Sequence, residues 1–222
     1  MANKELPKYS KGEEIFNAVS HIVGGAFGIT ALVLGIIFAV TYSDGYGLAS
    51  MIVYGISMII LYTMSTLYHF LPRGKAKKVF RILDHCTIFI LIAGTYTPYC
   101  LVSLRQLYPT LGWTLFAVVT TLSTIGIIFN AINMHSKTVK TLSMICYLAE
   151  GWCVIFAIDK LIKVITIPGF LLLLSGGILY TIGAIFYGFG KKKKYIHSIF
   201  HLFCLGGTIL QFLSILLYVI IK

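Results

Sequence analysis

Seven stretches of the chain are apolar almost without interruption, at approximately 20–42, 49–71, 82–103, 112–130, 141–159, 164–187 and 197–221. They are long runs instead of the one-sided stripes of soluble amphipathic helices. A helix needs roughly 20 such residues to cross a hydrocarbon layer about 30 Å thick. The runs are joined by short connections, which leaves no room for a separate soluble domain. The pattern therefore predicts an all-α, polytopic protein: a single seven-helix membrane domain over residues 1–222, in the cell membrane.

The polar stretch MANKELPKYSKGEEIFN precedes the first run. That run is too long for the apolar part of a cleavable signal peptide and lacks a small-residue cleavage site, so it reads as a permanent span. Ser10 with Glu13 three residues on fits a capping box, which predicts a helix start near Lys11, before the membrane is reached.

Composition agrees, with 58% hydrophobic residues against 11% charged. The net charge of +11 would point to nucleic acid in a soluble chain, but these cations lie in the connections, where the positive-inside rule accounts for them. Assigning alternate connections to alternate sides puts fourteen lysines and arginines on one side (the N-terminal segment, residues 73–81, Lys137, Lys140 and Lys191 to Lys194) against Arg105, Lys160, Lys163 and Lys222 on the other. The expected topology is a cytosolic N-terminus and, after seven crossings, an extracytosolic C-terminus, with no nucleic-acid partner. Five cysteines without a CxxC pair suit packing better than a disulfide framework.

On this map all six histidines, His21, His69, His85, His135, His197 and His201, fall at cytosolic ends of spans or in cytosolic loops. Ser65 and His69 are four apart and share a helix face in STLYH, and Asp84 lies one turn inside Arg81 in RILDHC. In HSIFH, His197 and His201 stand one turn, about 5.4 Å, apart on one face. Three helices thus bring polar groups to similar depth on one side. A carboxylate and several imidazoles at the edge of hydrocarbon are costly unless paired, solvated or ligated. Two His at i and i+4, a third His and an Asp form a set for zinc, with non-haem iron the alternative. A bare HxxxH beside a lysine run also suits snorkelling toward lipid phosphates; the matching depth of Ser65, His69 and Asp84 is what favours a metal. His85 and His135 read as interfacial.

Glu14, Asn17 and His21 form one stripe of the first helix, fit either for hydrogen bonding near the site or for capping and packing. Glu150 lies mid-span, where an unpaired carboxylate is expensive; it must be protonated and hydrogen-bonded or line a cavity. Gly24, Gly28, Gly176, Gly177, Gly206 and Gly207 read as close-packing positions, and Pro98 as a kink whose freed carbonyls Thr95 or Thr97 satisfies.

With these residues in view, the chain resembles the hemolysin III family, the bacterial branch of the progestin and adiponectin Q receptors. The matching features are Glu14, Asn17, Ser20 and His21; Ser65 and His69; RxxDH and GTYTP of the third run; and the HxxxH of the seventh. The resemblance implies zinc near the cytosolic face, held by His69, His197 and His201, with Asp84 acting through a water, Ser65 close by, and Glu14, Asn17 and His21 in supporting positions. It implies a zinc-dependent hydrolase of a lipid amide, with Asp84 and Ser65 catalytic and a membrane lipid as substrate or ligand. A receptor-like or membrane-homeostasis protein with structural zinc is the alternative. The pore-forming activity of the family name fits poorly with spans that look permanently integral.

Overall fold

The computed structural model describes residues 6–134, 136–189 and 193–221, so His135, Lys191 and Lys192 lie outside the described residues. Among those residues there is no strand. Helix α1 (Lys11–Tyr42) leads into α2 (Gly45–Phe70) and α3 (Lys75–Pro98), which continues through a π-helical turn (Tyr99–Leu104) into a single turn, α4 (Arg105–Leu107). Then come α5 (Pro109–Asn133), α6 (Lys137–Gly151), a 3-10 turn (Cys153–Ala157), α7 (Ile158–Phe189) and α8 (Ile196–Ile215), which ends in a second π-helical turn (Leu216–Ile220). Among the described residues, six helical segments are long and apolar enough to cross a membrane.

One of these six, Thr138–Gly188, is not straight. Thr166 inside α7 is non-helical, at φ 65° and ψ 168°, and Pro168 two residues later disfavours helical backbone just before it. Trp152 Nε1 donates to Thr181 Oγ1 at 3.1 Å. A continuous helix would hold residues 29 positions apart at about 43 Å, so the chain doubles back near Thr166 and its two arms run side by side.

The capping box forms as expected: the Ser10 hydroxyl accepts from Glu13 N–H, and the Glu13 carboxylate accepts from Ser10 N–H at 2.8 Å. Helix α1 wears its polarity inside out. Asn17, Ser20, His21, Gly24, Gly28, Ala31 and Gly35 face the bundle, while Ile15, Val19, Ile22, Val33, Ile37 and Val40 face outward. That is the arrangement for a helix whose solvent is lipid, where small residues allow close packing. A Cβ on Gly24 would sit 2.4 Å from the Tyr62 ring, and one on Gly207 would sit 3.0 Å from the Gly176 carbonyl across the α7–α8 contact. Gly177, in contrast, has open space before it and lines a cavity.

Pro98 behaves differently from expectation. Thr95 and Thr97 donate to the Leu91 and Ala93 carbonyls, whereas the bond that Pro98 forgoes is the one to Gly94. The ladder instead widens into the π-helical turn that begins at Tyr99, one of the known ways a helix absorbs such a break.

Candidate metal centre

The capping box places α1 so that residues 14 to 21 run past the C-terminal end of α2 and the first turns of α8. At that junction His69, His197 and His201 converge, all buried, each offering one ring nitrogen, and these atoms lie within 4.8 Å of one another. His197 Nε2 and His201 Nε2 are 3.1 Å apart. Two nitrogens about 2.0–2.1 Å from one tetrahedral zinc would be roughly 3.4 Å apart, so the pair needs almost no movement to share an ion.

The surroundings fix which nitrogens are free. His69 Nδ1 is 2.8 Å from Glu14 Oε2; an Nδ1–H donated there leaves Nε2 as a lone-pair ligand, and His69 Nε2 is buried with no hydrogen-bond partner. Ser20 Oγ donates to the Asn17 carbonyl at 2.9 Å, so it can accept from His201 Nδ1 at 3.4 Å, which again frees Nε2. An orphaned buried imidazole nitrogen aimed at two others is costly without an occupant, and carboxylate-backed histidines are the usual support of a bound metal. The donor set fits a divalent ion of zinc type.

The supporting shell extends further. Asn17 lies 3.4 Å from His69 Nδ1 and accepts from Ser198 Oγ at 2.7 Å, tying α1 to α2 and α8. Lys77, buried, reaches Glu14 Oε1 at 2.7 Å and donates to the His69 and Leu71 carbonyls at 3.2 and 3.1 Å. It neutralises the carboxylate and closes the C-terminal end of α2. Tyr9 stacks on His197 with centroids 5.0 Å apart and leans on His69 at 5.8 Å. Arg73 pins the segment before it by donating to the Leu6 and Pro7 carbonyls. Neither Lys77 nor Tyr9 carries a local sequence signal that marks it for the site. His21 is buried against His201, stacked at 3.8 Å, with neither ring nitrogen partnered.

Asp84 is not part of the three-nitrogen set. It lies beside His85, whose Nδ1 is 3.6 Å from Oδ2, and Ser65 lines the same cavity as this carboxylate. His85, read from the sequence as interfacial, is largely buried, with its Nε2 2.9 Å from Tyr187 Oη. Ser65, Asp84, His197 and His201 all open on one cavity of about 230 Å³, which runs between α1, α2, α3, α5, α6, α7 and α8 as far as Tyr99 and Leu115 and is walled mainly by leucine, isoleucine and aromatic side chains. Glu150 sits behind that wall: Ser123 Oγ donates to Oε2 at 2.9 Å, and Oε1 is buried without a partner.

Residues 9–212 match the family model described as "Haemolysin-III related". The chain belongs to the haemolysin III-related family. Among its relatives, it is 45% identical to "Hemolysin-3" of Bacillus cereus over 94% of this chain and 92% of that one. It is 42% identical to "Hemolysin-3 homolog" of Bacillus subtilis (strain 168) over 93% and 94%. A more distant similarity, 22% identity over 75% of this chain and 68% of the relative, is to human "Monocyte to macrophage differentiation factor". As a haemolysin III-related protein with these apolar helices, it is a multi-pass integral protein of the cell membrane.

Proposed function

We propose that this haemolysin III-related protein is a zinc-dependent hydrolase of a membrane lipid amide, with the ion held by His69, His197 and His201 on the cytosolic side of seven crossings. The carrying observation is that two of the three clustered, buried imidazoles, His197 and His201, line a cavity of about 230 Å³ that is apolar along most of its wall and shared with Asp84 and Ser65. That shape suits an acyl chain with its polar linkage at the imidazoles. When bound, zinc would supply Lewis acidity toward a carbonyl and toward water.

The residues divide the remaining work. Asp84, outside the ligating set but on the same cavity, would take a proton from water as general base. Ser65, on the same cavity, orients the carboxylate or the substrate carbonyl. Glu14 and Lys77 hold the His69 tautomer, and Tyr9 shields the imidazoles from bulk water.

A second reading draws on the ties among α1, α2 and α8 through Asn17, Ser20 and Ser198: a metal there would fasten three helices, as in a receptor-like or membrane-homeostasis protein with structural zinc. Asp84 decides between them. Purified Asp84→Ala is expected to keep its metal and its melting temperature while losing turnover of a long-chain lipid amide. Unchanged turnover would remove Asp84 from the chemistry, and a wild type that melts much lower without metal yet consumes no lipid would favour the structural reading.

A further inference from the structure

The cavity is not apolar throughout. Thr208 is seven residues beyond His201 on α8 and Tyr62 seven before His69 on α2, so both lie about 10 Å along their helices from the imidazoles. Thr208 Oγ1 is 2.7 Å from Tyr62 Oη, 2.5 Å from Tyr180 Oη and 3.0 Å from the Cys204 carbonyl. Three hydroxyls bring three protons. The Thr208 proton goes to the Cys204 carbonyl, which can only accept; both phenols then donate into the two lone pairs of Thr208. What the phenolic oxygens have left is acceptor capacity alone, and Tyr62 and Tyr180 both line the cavity. His21 stands edge-on to Tyr62, with centroids 5.1 Å apart, on the same wall, its two ring nitrogens buried and unpartnered. A neutral imidazole adds one donor and one acceptor.

We infer that His21, Tyr62, Tyr180 and Thr208 form a second polar subsite that binds a hydroxyl carried part-way along the acyl chain of the cavity's occupant. A hydroxyl donates to a phenolic oxygen or to the free His21 nitrogen and accepts from the His21 N–H. An unsubstituted chain leaves these buried groups unpaired, and sites built to pair a hydroxyl reject partners that lack it. The inference rests on the reading of the cavity as a lipid site, but not on the metal chemistry.

The test uses two photoreactive long-chain amides with a diazirine at the tail, one bearing a mid-chain hydroxyl and one without it, cross-linked to the purified protein and mapped by mass spectrometry. In a wholly apolar pocket the hydroxyl would weaken binding. The expected result for the wild type is the reverse, a roughly ten-fold preference for the hydroxylated probe, lost or inverted in the Tyr62→Phe/Tyr180→Phe variant. Equal labelling, or preference for the plain chain, in the wild type overturns the subsite while leaving the cavity a lipid site. No labelling of cavity residues by either probe overturns the lipid reading and the subsite with it. The wild-type comparison stands even if the double variant fails to fold.

Discussion

Glu14 holds His69: its Oε2 lies 2.8 Å from the ring's Nδ1, and its other oxygen lies 2.7 Å from Lys77 Nζ. One carboxylate thus sets the tautomer of an imidazole and satisfies a buried ammonium. Removing it takes the carboxylate from the ring and the counter-charge from the ammonium, which keeps only the His69 and Leu71 carbonyls. Glu14→Ala is expected to weaken zinc binding by about 10–100-fold, measured by competition with a chromophoric chelator. Lys77→Met should act in the same direction, because an unpaired Glu14 is a poorer partner for His69. Wild-type zinc affinity in Glu14→Ala would show that the contact is packing only.

Glu150 gives a separate prediction. One oxygen accepts from Ser123 and the other is buried with no partner, so an ionised carboxylate there would be expensive. Glu150→Gln keeps the shape and removes the possibility of charge. Its thermal unfolding midpoint should equal or exceed that of the wild type, and lipid turnover should be unchanged. A marked fall in stability, or loss of an ion flux measured in proteoliposomes, would mean that the carboxyl is used as an acid or a coupling site.

Topology can be tested at the turn. If the two arms on either side of Thr166 are separate crossings, a cysteine at Thr166, in a background without other reactive thiols, should react with a membrane-impermeant maleimide added outside intact cells. One at Lys194 should react only after lysis. The opposite pattern would invert the proposed orientation, and protection of both would argue against exposure of the turn.

The helices were readable in advance because hydrocarbon forces every span to advertise itself as an apolar run. The Ser10–Glu13 cap was legible because it is local, and His197 with His201 because one helical turn fixes their relation. The break between the fifth and sixth runs is not marked by charge alone. Lys160 and Lys163 marked an apparent loop, yet both are helical in α7 and the chain turns at Thr166, where Pro168 constrains the backbone. Lys77 was one lysine among several in GKAKK; only the docking of α3 against the end of α2 carries its ammonium to Glu14. His85 read as interfacial because nothing in its neighbourhood along the chain foretells Tyr187, 102 residues away.

The proposed site needs one ion to join helices that are far apart in sequence. Elemental analysis of the protein purified without chelators, wild type beside His197→Ala/His201→Ala, tests this most directly. About one zinc per chain in the wild type and almost none in the double variant, with both proteins still folded by circular dichroism, is the predicted result. A metal-free wild type, or equal metal in the two proteins, would contradict it.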